Sequence, residues 1–191
     1  MKNILIKHIE DHIKVTNKLL EDQIDQVIKF SDLISEAIND GHIIYLFGNG
    51  GSAADAQHIA AEFTGRFVKE RKGLAAIALT TDSSALTAIG NDYGFDRIFE
   101  RQVESLAKKG DVLIGISTSG NSLNVCKALK LGNEIGCTTL SLTGNSGGEA
   151  SKLSHFNLNI EHTVTARIQE MHILIGHLIC TIIDEVNVSI N

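Results

Sequence analysis

The chain is poor in cysteine, carries no basic tract and has no apolar run long enough to span a bilayer. Its three cysteines, Cys126, Cys137 and Cys180, form no CxxC pair and sit inside apolar or helical patterns. This excludes a disulfide scaffold and a thiol redox motif and leaves reduced core residues of a cytosolic protein. Lysine and arginine number 17 against 23 acidic residues, giving a formal net charge of −6, and the basic side chains are scattered. Neither nucleic acid nor an anionic membrane is offered a positive stripe, so a small anionic substrate would need local donors. The N-terminal stretch "MKNILIKHIEDHIK" alternates charged and apolar residues and lacks the unbroken apolar region of a secretion signal. Met171 to Ile183 is the most apolar segment. It falls short of the ~20 residues of a membrane span and contains two histidines, so it reads as a buried helix of a cytoplasmic protein. No linker, low-complexity tract or repeat divides the 191 residues, and a single domain is expected.

What the sequence does have is a change of period near Gly41. Before it, Ile9, Ile13, Leu20, Ile24, Val27, Leu33, Ile34 and Ile38 recur at three- and four-residue steps. They predict an amphipathic helical arm over residues 1–39 that breaks once and packs against another surface. Over residues 40–191 the runs "HIIYLF", "LAAIAL", "DVLIGI", "TTLSL" and "FNLNI" read as strands, separated by helices over Ala53–Phe63, Ser84–Ala107 and Leu123–Ile135. That alternation predicts a three-layer α/β/α fold on a five-stranded parallel sheet, closed by a last helix from Thr165 to Asn187.

Two loops follow apolar strands at what should be the ligand-binding edge of such a sheet. The first is Gly48, Asn49, Gly50, Gly51, Ser52; the second is Ser117, Thr118, Ser119, Gly120, Asn121, Ser122. Glycines admit a ligand close to the backbone, helix-start N–H groups face an anion, and hydroxyls add neutral donors. Four hydroxyls in six residues suit a phosphate monoester. Helix caps and turns use the same residue types, so either loop alone leaves a purely structural role open. Gly48, Gly50 and Ala53 also fit the dinucleotide pattern G-x-G-x-x-A, but the acidic partner is misplaced: Glu70 precedes the second strand and Asp82 comes late. No nucleotide cofactor is expected.

The helix opening at the first loop carries His58 and Glu62 at i, i+4, on one face. They can share a metal or a proton, or form an ordinary surface pair worth a few tenths of a kcal/mol. The last helix contains "ARIQEMHILIGH", with Gln169, Glu170, His172 and His177. His177 lies among Leu174, Ile175, Leu178 and Ile179, which reads first as a satisfied core histidine and second as a neutral acid/base.

Taken in order, "GNGGSAADAQHIAAEFTGR", "AIGNDYGF", "GDVLIGISTSGNS", "LTG" and "ARIQEMHILIGH" closely resemble the phosphoheptose isomerases of the sugar isomerase (SIS) domain family, from the arm to the last helix. The resemblance implies a homotetramer that interconverts sedoheptulose 7-phosphate and D-glycero-D-manno-heptose 7-phosphate, an early step toward heptose in surface glycans such as lipopolysaccharide or capsule. It assigns Ser52, Ser117, Ser119 and Ser122 to the phosphate. It assigns Asn49, Gly50, Gly51, Arg66, Asn91, Asp92 and Thr118, with Glu62 and Gln169, to the sugar. Glu62 and His177 match the catalytic pair, and His58, Glu62, Gln169 and His177 match zinc ligands, one ion per subunit. Ala166 stands where some members carry an aspartate. Non-catalytic SIS adaptors that bind the replication initiator share the Asn-Gly-x-Ser loop and the Arg-Ile-Gln-Glu-Met-His run, but are not known for counterparts of Glu62 and His177. An SIS protein for another sugar phosphate is the remaining alternative.

Gln169 and His177 are eight residues apart, about 12 Å of rise and roughly 80° of rotation on a straight helix. Two side chains so placed cannot meet at one ion. The expectation is therefore a site built across a subunit interface, with His177 donated by a different copy from the one that supplies Glu62.

Overall fold

The computed structural model describes residues 1–186. The arm is two helices, α1 (Lys2–Asp22) and α2 (Ile24–Asn39), with the single break at Gln23. Five parallel strands follow: β1 (Ile44–Gly48), β2 (Ala76–Ala78), β3 (Val112–Ser117), β4 (Thr138–Gly144) and β5 (Phe156–Ile160). Between and after them lie α3 (Gly51–Thr64), α4 (Ser83–Tyr93), α5 (Glu100–Leu106), α6 (Leu123–Ile135), α7 (Gly148–Leu153) and α8 (Thr165–Val186). The α/β/α reading of the sequence holds. The sequence-predicted end of the last helix, Asn187, lies outside the described residues.

Two expectations are corrected. The single helix over Ser84–Ala107 is instead α4, a 3-10 turn at Phe95–Arg97, and α5. Gly94, at φ +93°, turns the chain between them, a conformation that ends a right-handed helix. The run "LAAIAL" yields only Ala76–Ala78 as strand, the three residues that pair with β1 at the edge of the sheet.

The strand order β2-β1-β3-β4-β5 fixes where the site can be. β1 and β3 are neighbours, and their outgoing helices take opposite faces of the sheet. Ala56, Ile59, Ala60 and Phe63 of α3 join the core cluster formed with α2 and α8. Val125, Ala128 and Leu129 of α6 join the cluster on the other face. The crevice where the connections diverge is the topological switch point of a parallel sheet, and both glycine- and serine-bearing loops open into it.

By length and composition α8 could cross a bilayer, yet Ile168, Met171, Ile175, Ile179 and Ile183 bury its apolar stripe in the core. Cys126, Cys137 and Cys180 are buried free thiols. Burial pushes Cys137 up to about 11 and Cys180 up to about 12, so neither is an ionised nucleophile near neutral pH.

Candidate active site

The second loop gathers its hydroxyls on one point. Ser117 Oγ, at the end of β3, lies 3.0 Å from Ser122 Oγ and 3.4 Å from Ser119 Oγ. Ser122 holds the N-cap position of α6 without using its side chain as a cap, so its hydroxyl is turned to the cluster. Gly120, at φ +68°, sits where a Cβ would strike the Gly147 carbonyl, so only glycine fits both the turn and the contact. The loop is braced from behind by Asn145, whose amide donates to the Thr118 carbonyl at 2.9 Å, and by Asn121, which accepts from the Glu149 N–H at 3.0 Å.

The first loop is tied to the second by a residue that motif reading passed over. Asn49 and Asn124 exchange amide hydrogen bonds at 2.9 and 2.8 Å, and Asn124 is buried. Its only signal in the sequence is an amide among the apolar residues of α6. The Asn49 side chain, expected to line the sugar, also braces the two loops against each other. Ser52 is buried in the first turn of α3.

α3 and α8 then run side by side in constant register. Gln169 lies against Gly51, a Cβ at Gly176 would fall 2.5 Å from Ile59 Cδ1, and His177 meets His58. Glycine at positions 51 and 176 allows this approach. At the far end, His58 Nε2 is 3.1 Å from Glu62 Oε1 and 3.4 Å from His177 Nε2. The ligand atoms of His58, Glu62 and His177 all lie within 4.8 Å of one another. Two ring nitrogens at 3.4 Å, together with a carboxylate oxygen, present lone pairs to a common centre. That donor set suits a zinc ion with a position left open for substrate.

This arrangement corrects two expectations about His177. It does not need a second copy to reach Glu62, because α3 and α8 of one chain bring the two together. Nor is it the core histidine of α8. That role belongs to His172, fully buried, whose Nε2–H donates to the Thr143 carbonyl at 2.9 Å. Burial pulls His172 down to about 4, so it is neutral. Gln169, by contrast, stays beside the first loop, about 12 Å of helix rise from His177.

Asp55, one turn before His58 on α3, was not singled out by motif. Its Oδ2 is buried among the described residues without a hydrogen-bond partner. Burial raises its carboxyl to about 6 against the opposing pull of His58. Asn91 and Asp92 bond to each other at 2.8 Å at the exposed end of α4, and Arg66 reaches back to Glu70 at 3.5 Å.

Comparison with known proteins agrees with this geometry. The SIS domain model matches residues 7–144. The phosphoheptose isomerase of Aliarcobacter butzleri is 56% identical over 184 residues, covering 96% of this chain and 97% of its own. That of Aquifex aeolicus is 55% identical over 160 residues, covering 84% of each. The solved phosphoheptose isomerase from Neisseria gonorrhoeae superposes with a TM-score of 0.92 at 45% identity, over 97% of this chain and 99% of that one. Such likeness over nearly the full length, in sequence and in fold, places the chain in the SIS domain family, among its phosphoheptose isomerases.

Proposed function

We propose that the protein is an aldose–ketose isomerase acting in the cytoplasm on sedoheptulose 7-phosphate and D-glycero-D-manno-heptose 7-phosphate, in the supply of heptose for surface glycans. The observation that carries this is the meeting of His58, Glu62 and His177 on helices that also border the hydroxyl cradle. A phosphate at Ser52, Ser117, Ser119 and Ser122 would anchor the remote end of the sugar, and its binding energy would fix C1 and C2 against the reactive groups.

Moving the carbonyl between C2 and C1 requires removing a proton from C1 of the ketose, passing through an enediol, and returning the proton at C2. One carboxylate can do both. Glu62 Oε1 faces His58, which leaves Oε2 for the carbon-bound proton. His177 faces the same centre and serves the substrate oxygens as negative charge develops on them. A zinc ion held by His58, Glu62 and His177 would add Lewis-acid polarisation of the two vicinal oxygens.

Gln169 has a different place. Within one chain it belongs with the cradle, as a substrate-binding side chain. As a fourth metal ligand it must come from another copy, joining the cradle of one subunit to the cluster of the next. The exposed Ile4, Leu5, Ile9, Ile13 and Leu20 of α1 give the arm an apolar face for such an assembly. A homotetramer with sites at its interfaces would follow, with the division between copies at Gln169 rather than at His177.

Incubating the purified protein with sedoheptulose 7-phosphate and following the mixture by NMR should show the aldose accumulate to equilibrium. Binding of the sugar phosphate with no conversion would instead support an SIS protein that senses or acts on another sugar phosphate.

A further inference from the structure

The connection after α3, "GRFVKERKG", has no regular secondary structure, yet it is pinned to both helices of the site. Arg71 and Asp184 form an ion pair at 2.7 Å with side chains only 4% and 3% exposed. The second oxygen of Asp184 accepts the backbone N–H groups of Val68 and Lys69 at 2.8 and 2.9 Å. The other arms of the Arg71 guanidinium donate to the carbonyls of Glu62 and Phe63, at 2.9 and 3.0 Å. These are carbonyls of the last turn of α3, where a helix otherwise frays for want of partners. Burial alone would raise the Asp184 carboxyl, but the Lys69 N–H, the guanidinium and the Val68 N–H hold it below its ordinary value. The pair is therefore ionised.

Between these anchors, Phe67 stacks on the His177 ring with centroids 5.6 Å apart and planes 25° from parallel. His58 meets the same imidazole edge-on at 5.0 Å and 71°. A histidine on the partly open face of a helix would otherwise sample several side-chain rotamers. With Phe67 against one side and His58 on another, its orientation is fixed. A buried ion pair is weak evidence of stabilisation, since apolar replacements of like volume often serve as well. Here the fork of Arg71 does something a hydrocarbon cannot, because it holds a backbone carbonyl of the helix that presents Glu62.

We infer that Phe67 and Arg71 are positioning residues for the isomerisation, Phe67 setting the ring plane of His177 and Arg71 fixing the backbone at Glu62. This rests on the roles given to Glu62 and His177 above. The Phe67→Leu variant should lose about 10- to 100-fold in kcat, the scale of a small misplacement of a reacting group. Its KM should stay within about twofold, because the phosphate end is untouched. Phe67→Tyr keeps the aromatic face and should retain the parent rate. Arg71→Lys keeps a charge against Asp184 but not the fork, and should lower kcat in the same way.

A second readout needs no substrate. Phe67 should impose a ring-current shift on the His177 ring proton resonances, assigned by their loss in His177→Gln, and this shift should vanish in Phe67→Leu and persist in Phe67→Tyr. An unchanged kcat in Phe67→Leu, equal losses in the leucine and tyrosine variants, a defect confined to KM, or His177 resonances that ignore Phe67 would each overturn the proposal. If the parent protein converts no sugar phosphate, the isomerase function fails, and the resonance measurement still decides whether Phe67 holds the ring.

Discussion

Glu62→Gln is expected to lower kcat for aldose formation by about 10²- to 10⁴-fold, the contribution of a positioned general base. Glutamine keeps the shape of the side chain and can still hydrogen bond to His58, which lies 3.1 Å from the present carboxylate. It cannot accept a proton from carbon. KM should change little, because the hydroxyl cradle of Ser117, Ser119 and Ser122 belongs to a different loop. Metal content measured on the same preparation separates the two duties of the carboxylate. A variant that keeps its metal and loses turnover has lost a base. A variant that loses the metal as well has lost a ligand, and full activity restored by added zinc would then remove Glu62 from proton transfer.

The second large effect is a gain of activity by mixing inactive proteins. Glu62→Gln and Gln169→Ala variants, denatured together and refolded into mixed oligomers, should recover turnover. Each hybrid interface can then pair an intact cluster from one chain with an intact Gln169 from another, at about a quarter of the sites if the chains assort randomly. Glu62→Gln mixed with His177→Gln should recover nothing, because both residues belong to the cluster of one chain. Activity from the second mixture would mean that Glu62 and His177 act across copies after all. Silence from both, with mixed oligomers present, would confine Gln169 to the cradle of its own chain.

Much of this was legible in the residues, and what was not has physical reasons. Apolar runs marked β1 and β3, whose residues are buried on both faces, while β4 and β5 showed only as the mixed stretches "TTLSL" and "FNLNI". The apolar run around β2 does not show in the sequence that only Ala76, Ile77 and Ala78 pair with β1. The division of Ser84–Ala107 into α4, a 3-10 turn and α5 is hidden in the sequence, because the apolar spacing continues through Gly94 and a single glycine shows no φ in a sequence. The i, i+4 pair of His58 and Glu62 could be read directly, since helix geometry alone makes them neighbours. That His177 joins them depends on α3 and α8 packing in parallel, which rests on Gly176 letting Ile59 approach, and no local pattern encodes it. The choice between His172 and His177 as the core histidine turned on which face of α8 meets the sheet. Both are flanked by apolar residues, so periodicity could not separate them. Asn124 and Arg71 escaped notice for a similar reason: their partners, Asn49 and Asp184, are 75 and 113 residues away.

The central claim is that one carboxylate moves a proton between C1 and C2 at the cluster of His58, Glu62 and His177. Its most direct test is conversion of sedoheptulose 7-phosphate in D₂O, with the position of deuterium read by NMR. Glu62 keeps 23% of its side chain exposed, so the proton it removes can exchange with solvent before it is returned. The expected result is deuterium at C2 of the aldose and, on reversal, at one C1 position of the ketose, with the exchange lost in Glu62→Gln together with turnover. Aldose formed at the full rate with no deuterium on carbon would point to direct hydride transfer, and exchange that survives in Glu62→Gln would assign the base elsewhere; either result would contradict the account.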